Sequence, residues 1–282
     1  MATEQTVEQA VAQSARSHSI ITGGSSGIGK AIALNLARQG ANVSILARGE
    51  ERLLQAKAEI EQARKSAAQT VLALRVDVSD RAQVETTIED AIDRLGPPAQ
   101  LITCAGIAHP GHFQELPVEM FEKTMAVKYL GSLYAIRAVL PAMKQQSSGQ
   151  IGILSSGAGL IGLYGYSAYG SSKFAVRGLA ESLRAELKPL GIQVSIAYPP
   201  DTNTPQLEVE NIRKPAASKE ITATAKLWQP EAVAQVIIDG MAKGRFELSP
   251  GLEMGVLIRL HSLISPVLNR YFDGIVARFP SV

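Results

Sequence analysis

The sequence predicts an α/β fold, a single doubly wound parallel sheet flanked by helices. Three observations carry this. Six short runs rich in Ile, Val and Leu, at 18–22, 42–47, 71–76, 99–104, 150–155 and 192–198, read as strands covered on both faces. A helical stretch separates each run from the next, and such crossovers force parallel order. The 282 residues are 46% apolar but only 5% aromatic, which supplies one large aliphatic core and gives no sign of a second domain.

Taken in order, residues 1–16 form a polar, Ala- and Gln-rich tail without the apolar centre of a signal peptide. The first strand, Ser19-Ile20-Ile21, runs into Thr22-Gly23-Gly24-Ser25-Ser26-Gly27-Ile28-Gly29 and then into a helical pattern from Ala31 to Gln39. Glycines at 23, 27 and 29 allow a tight turn and close approach to a pyrophosphate, which the free amides of the following helix can receive. The spacing is Gly-x-x-x-Gly-x-Gly, so the strand, turn and helix context carries the reading. The second strand ends at Arg48, with no Asp or Glu to bond a ribose 2′-hydroxyl. A guanidinium there can pair with a 2′-phosphate, and Arg52, one turn on, adds a second positive charge, so the expected cofactor is NADPH. Asp77 follows the third strand in a cap or turn, Asp77-Val78-Ser79-Asp80.

The fifth strand ends at Ser155-Ser156, and a helix then presents Tyr169 and Lys173 four residues apart, on one face. A phenol ionises at about pH 10, too high for easy proton exchange at neutral pH, so a nearby cation is needed to favour the phenolate. Lys173 is placed to be that cation, and Ser156, thirteen residues before the tyrosine, to hydrogen-bond a carbonyl oxygen. The set fits reduction of a ketone.

Net charge is only +2 and the basic residues are dispersed, so no nucleic-acid partner is expected. Cys104 is the sole cysteine, which excludes an intrachain disulfide and a cysteine metal cluster; no metal is expected, and a reducing, cytoplasmic compartment fits. His109 and His112 flank Pro110-Gly111 in what reads as an ordinary loop near the active site.

Over about residues 17–245 these motifs resemble the short-chain dehydrogenase/reductase family, in which Thr-Gly-x-x-x-Gly-Ile-Gly binds the cofactor and Ser, Tyr and Lys perform catalysis. The resemblance implies a Rossmann-type fold, a seventh strand around 246–249 and a homo-oligomer. It makes Tyr169 the general acid, has Lys173 lower its pKa and hold the nicotinamide ribose, has Ser156 polarise the carbonyl, and places Ser155 near the substrate. It implies cofactor contacts at Thr22, Gly23, Ser25, Ser26, Gly27, Ile28 and Gly29, at Arg48 and Arg52, at Asp77 (to the adenine) and Val78, at Ala105 and Gly106, and at Tyr169, Lys173, Pro199 and Thr204.

Three positions depart from the family pattern. Thr103-Cys104-Ala105-Gly106 stands where many members have Asn-Asn-Ala-Gly, and Thr103 is expected to supply the lost hydrogen bond. Lys128 replaces the Asn that holds a water in the proton relay; a charged lysine donates but does not accept, so its pKa is expected to drop or its amine to turn to solvent. Pro199-Pro200 replaces Pro-Gly and opens a substrate lid at about 199–228. Tyr198-Pro199-Pro200-Asp201-Thr202-Asn203-Thr204-Pro205, followed by Glu210-Asn211 and Lys214-Pro215, is similar to the subgroup that reduces 3-oxosphinganine to sphinganine with NADPH, which implies a long-chain lipid ketone as substrate. A generic ketoreductase on a soluble substrate is the alternative, and Lys128 motivates another, a weakly catalytic NADP-binding regulatory protein. The apolar tail at 251–282, interrupted by Arg259, Pro266 and Arg270, is a poor membrane span, since about twenty apolar residues are needed to cross. It suits a helix at the cytosolic face of a membrane, or equally one packed on the domain or a subunit.

Overall fold

Strands β1 (His18–Thr22), β2 (Asn42–Ala47), β3 (Val71–Arg75), β4 (Pro98–Thr103), β5 (Gly149–Leu154), β6 (Ile192–Ala197) and β7 (Glu247–Leu248) form one sheet in the order β3-β2-β1-β4-β5-β6-β7. Every pairing is parallel. The structure is a computed structural model that describes residues 17–223 and 225–279; the expected polar tail at 1–16 lies outside the described residues.

Successive strand residues point to opposite faces, and both faces are apolar. Ile20 and Leu101 join a core that takes in Val84 and Ile88 of helix Arg81–Leu95 and Val139 of helix Gly131–Gln145. Their neighbours Ile21 and Ile102 join a second core on the other face, with Ile32 of helix Gly27–Gln39 and Val233 and Ile237 of helix Pro230–Ala242. This two-sided burial makes the strands uniformly apolar and legible in sequence.

Winding runs outward from β1 through β2 to β3, then restarts at β4 on the other side of β1. The reversal opens a crevice beyond the carboxyl ends of β1 and β4, where open α/β sheets bind ligands. Residues 199–228, the expected lid, carry helices Pro205–Arg213 and Ala216–Thr222. The ends of this segment are tied together: Asn203 N–H donates to Trp228 O (2.8 Å) and Trp228 N–H to Asp201 O (2.9 Å). A 25-residue helix, Leu252–Val276, closes the described chain. One feature had no sequence signature. Between helix Val118–Met125 and helix Gly131–Gln145 the chain widens into a π-helical turn, Ala126–Leu130, which carries Lys128.

Candidate active site

The crevice is a cavity of about 1020 Å³. Its floor at one end is the glycine turn. Gly23 sits at φ +70, and a Cβ there would lie 2.7 Å from the backbone nitrogen of Ala105, so only glycine permits this contact between the ends of β1 and β4. Ser26 begins helix Gly27–Gln39 in extended conformation without a side-chain cap, which leaves the first-turn amides to an incoming anion. Gly23, Ser25, Ser26, Gly27, Ile28 and Gly29 all line the cavity, as do Arg48, Arg52, Val78, Ala105, Gly106, Pro199 and Thr204.

Two expected cofactor residues do not line it. The Thr22 hydroxyl accepts from Ala105 N–H (3.2 Å) and braces the two strand ends. Thr103, expected to supply that kind of hydrogen bond, leaves its buried hydroxyl without a partner among the described residues. Asp77 accepts from the hydroxyl (2.7 Å) and amide (3.0 Å) of Ser79 and lies 3.8 Å from Arg48. Burial pushes its carboxyl up, but the Ser79 hydrogen bonds and the Arg48 charge outweigh that and hold it below the usual range. The Thr204 hydroxyl accepts from Leu207 N–H (3.3 Å) and caps the lid helix, so its polar atom is engaged locally. His109 and His112 stay outside the cavity wall; His109 meets Arg213 (2.9 Å), and His112 meets the Tyr164 hydroxyl (3.1 Å).

Helix Ser167–Leu187 presents Tyr169 and Lys173 to the cavity, and the end of β5 presents Ser155 and Ser156. Burial, with the charges of Glu210 and Asp201, raises the Tyr169 phenol above its ordinary range, while a hydrogen bond with Ser156 partly offsets the rise. The Lys173 amine donates to Leu154 O (2.7 Å) and stands 5.5 Å from the centre of the Tyr169 ring. In this arrangement the Lys173 amine is bound to the β5 carbonyl, and burial dominates the Tyr169 phenol. Ser155 lines the cavity as well. Its hydroxyl donates to Lys173 O (3.1 Å), which ties β5 to the helix and engages the hydrogen that a substrate contact would need.

Lys128 is buried, its amine 4.6 Å from the centre of the Tyr169 ring. Burial and the neighbouring Lys173 charge push it well below the ordinary lysine value. Burial also lowers Lys173, to about 8, against opposing contributions that include its hydrogen bond with Lys128. The two amines share a hydrogen bond that favours the charged form of Lys173 and disfavours that of Lys128. A lysine whose charged form is disfavoured moves toward the accepting capacity that an ammonium lacks. Gly106 has no side chain because the Lys128 amine occupies its place.

Sequence reasoning missed four wall residues. Tyr166 packs edge-on against Tyr169 at 5.7 Å and donates to Glu210 (3.1 Å). Met254 and Phe272 reach in from the C-terminal helix, more than eighty residues beyond the catalytic tyrosine, a distance that local periodicity does not span.

A short chain dehydrogenase family model matches residues 17–214. A bovine protein named 3-ketodihydrosphingosine reductase is 46% identical over 253 residues, covering 89% of this chain and 76% of its own length. A Dictyostelium discoideum protein of the same name is 37% identical over 274 residues, covering 92% and 82%. Among solved structures, levodione reductase matches with a TM-score of 0.75 at 27% identity, covering 83% of this chain and 96% of its own. This chain belongs to the short-chain dehydrogenase family of oxidoreductases. The family and the Rossmann-type sheet together imply a nicotinamide cofactor.

Proposed function

We propose that this protein reduces 3-oxosphinganine to sphinganine with NADPH. The match to proteins named 3-ketodihydrosphingosine reductase over nine-tenths of the chain carries the reading. The wall agrees with a lipid: Ile161, Leu163, Val209, Ile221, Met254 and Phe272 supply apolar surface to the cavity that Tyr169 also lines. Each methylene buried there contributes about 0.8 kcal/mol, or roughly fourfold in affinity. Shortening the alkyl chain of the substrate by several methylenes is therefore expected to lower kcat/KM by at least about tenfold. Equal kcat/KM for long and short ketones would favour a generic ketoreductase instead.

The turn and crevice fit the cofactor, since the glycine backbone is uncovered and the first-turn amides are uncapped. Bound there, it supplies a hydride. Tyr169, held protonated by burial, gives its proton to the oxygen of the reduced carbonyl, and Ser156 donates to that oxygen beforehand. Lys173 offsets the phenolate left behind.

Arg48 and Arg52 favour the 2′-phosphate of NADPH over the 2′-hydroxyl of NADH. Arg48→Asp should lower kcat/KM for NADPH by about 10- to 100-fold, the loss of one or two charge-assisted hydrogen bonds, and improve it for NADH. An unchanged ratio of the two values would exclude Arg48 from cofactor choice.

We place the C-terminal helix at a lipid surface. Among the described residues no helix is long and apolar enough to cross a membrane. Helix Leu252–Val276 buries Ile258 and Ile275 yet exposes Leu252 (89%), Leu263 (75%) and Val267 (70%), with Arg259 and Arg270 at the margins. Such a helix lies in the headgroup region beside the mouth through which a lipid enters. Full-length protein is expected to sediment with liposomes, and the Leu263→Glu, Val267→Glu double variant to stay in the supernatant; equal sedimentation would remove the membrane contact.

A further inference from the structure

Two carboxylates stand in the cavity wall near Tyr169, and they differ in one respect. Asp201 has a cation, the buried amine of Lys214 at 3.6 Å. Glu210 has none. It is 7% exposed, on the inner face of lid helix Pro205–Arg213, and takes hydrogen bonds from Tyr166 (3.1 Å) and from the Gln206 amide (2.7 Å), but it forms no ion pair among the described residues. A buried carboxylate that two neutral donors hold in place, without an ion-pair partner, is costly. Two amines of the site feel its charge without forming an ion pair with it. Lys173 is bound to Leu154 O, and Lys128 to Lys173.

Glu210 is also close to the chemistry. Tyr166, which orients it, packs against Tyr169, and the Glu210 charge reaches Tyr169, Lys173 and Lys128. The substrate proposed above carries, on the carbon next to its ketone, a primary amine that is protonated at neutral pH. With the ketone oxygen at Tyr169 and Ser156, this ammonium lies one carbon away, beside two lysines that would repel it unless a carboxylate faces it.

We infer that Glu210 is the counter-ion for the ammonium group adjacent to the ketone, and so selects amino ketones over plain ketones of the same length. The inference rests on the proposed sphingoid substrate and adds a residue that determines specificity. Pairing gives this carboxylate the ion-pair partner that it lacks among the described residues. The lid thereby reads the substrate headgroup, while Met254 and Phe272 of the C-terminal helix meet the chain.

The test compares 3-oxosphinganine with the ketone of equal length that lacks the amine, in the wild type and in Glu210→Gln, which keeps acceptor and donor atoms for Tyr166 and Gln206. Wild-type kcat/KM is expected to favour the amino ketone by about tenfold or more. Glu210→Gln should remove that preference, read as the ratio of the two kcat/KM values, and Glu210→Asp should restore part of it. An equal fall on both ketones, or a wild type indifferent to the amine, would overturn the role of Glu210 while leaving a long-chain ketone reductase standing. A wild type that reduces neither ketone would overturn the substrate reading and this inference with it. The wild-type comparison needs no variant, so a misfolded Glu210→Gln does not leave the question open.

Discussion

Tyr169→Phe is expected to lower kcat for 3-oxosphinganine by about 10²- to 10⁴-fold, the usual contribution of a positioned general acid. The phenyl ring keeps the edge-on contact with Tyr166 and the stacking of Lys128, so packing survives and only the proton donor is lost. Affinity for NADPH, followed by fluorescence titration, should stay within about twofold, and kcat and kcat/KM should fall together. A variant with more than a tenth of wild-type turnover would mean that another group supplies the proton. The raised phenol sharpens this expectation: with burial and two carboxylates opposing ionisation, Tyr169 holds its proton across the working range and acts as an acid rather than as a standing phenolate.

The second large effect concerns the lysine pair. Lys173→Met should reduce turnover by at least about a hundredfold, because the phenolate formed at Tyr169 then faces Glu210 and Asp201 without a compensating charge. The wild type should show the same requirement through pH. Lys173 titrates at about 8, below the ordinary lysine value, so it is charged below that pH and neutral above it. Activity in the direction of ketone reduction is therefore expected to hold on the acid side and to fall as pH rises through about 8. Folding stability has the opposite dependence. Between about 8 and the ordinary lysine value the unfolded chain binds more protons at this residue than the folded chain, so this contribution to stability rises with pH in that window. A rate that falls with pH while thermal stability rises would separate the catalytic charge from general unfolding. A flat rate profile across pH 8 would contradict the assignment.

Much of this architecture was legible in the sequence, for reasons the fold makes plain. Strands covered on both faces must be apolar at every position, so the runs around Ile20, Ile45 and Ile153 mark their strands to within a residue of the observed bounds. The glycine turn was legible because close approach to Ala105 demands glycine at 23. What escaped were contacts that join distant segments. Glu210 meets Tyr166 across forty-four residues, and nothing in the local pattern of the lid distinguishes its carboxylate from that of the exposed Glu208. The π-helical turn at Ala126–Leu130 has no composition of its own; it arises where the chain must bring Lys128 beneath Gly106. Spacing on a helix gives the face that Lys173 shares with Tyr169 but not the partner of its amine, which is Leu154 O.

The central claim is tested most directly by one reaction: the full-length protein with NADPH and 3-oxosphinganine, with cofactor oxidation and sphinganine formation measured together, the latter by mass spectrometry. The expected result is equimolar NADPH oxidation and sphinganine formation. NADPH that binds yet is not oxidised, with no sphinganine formed, would contradict the account.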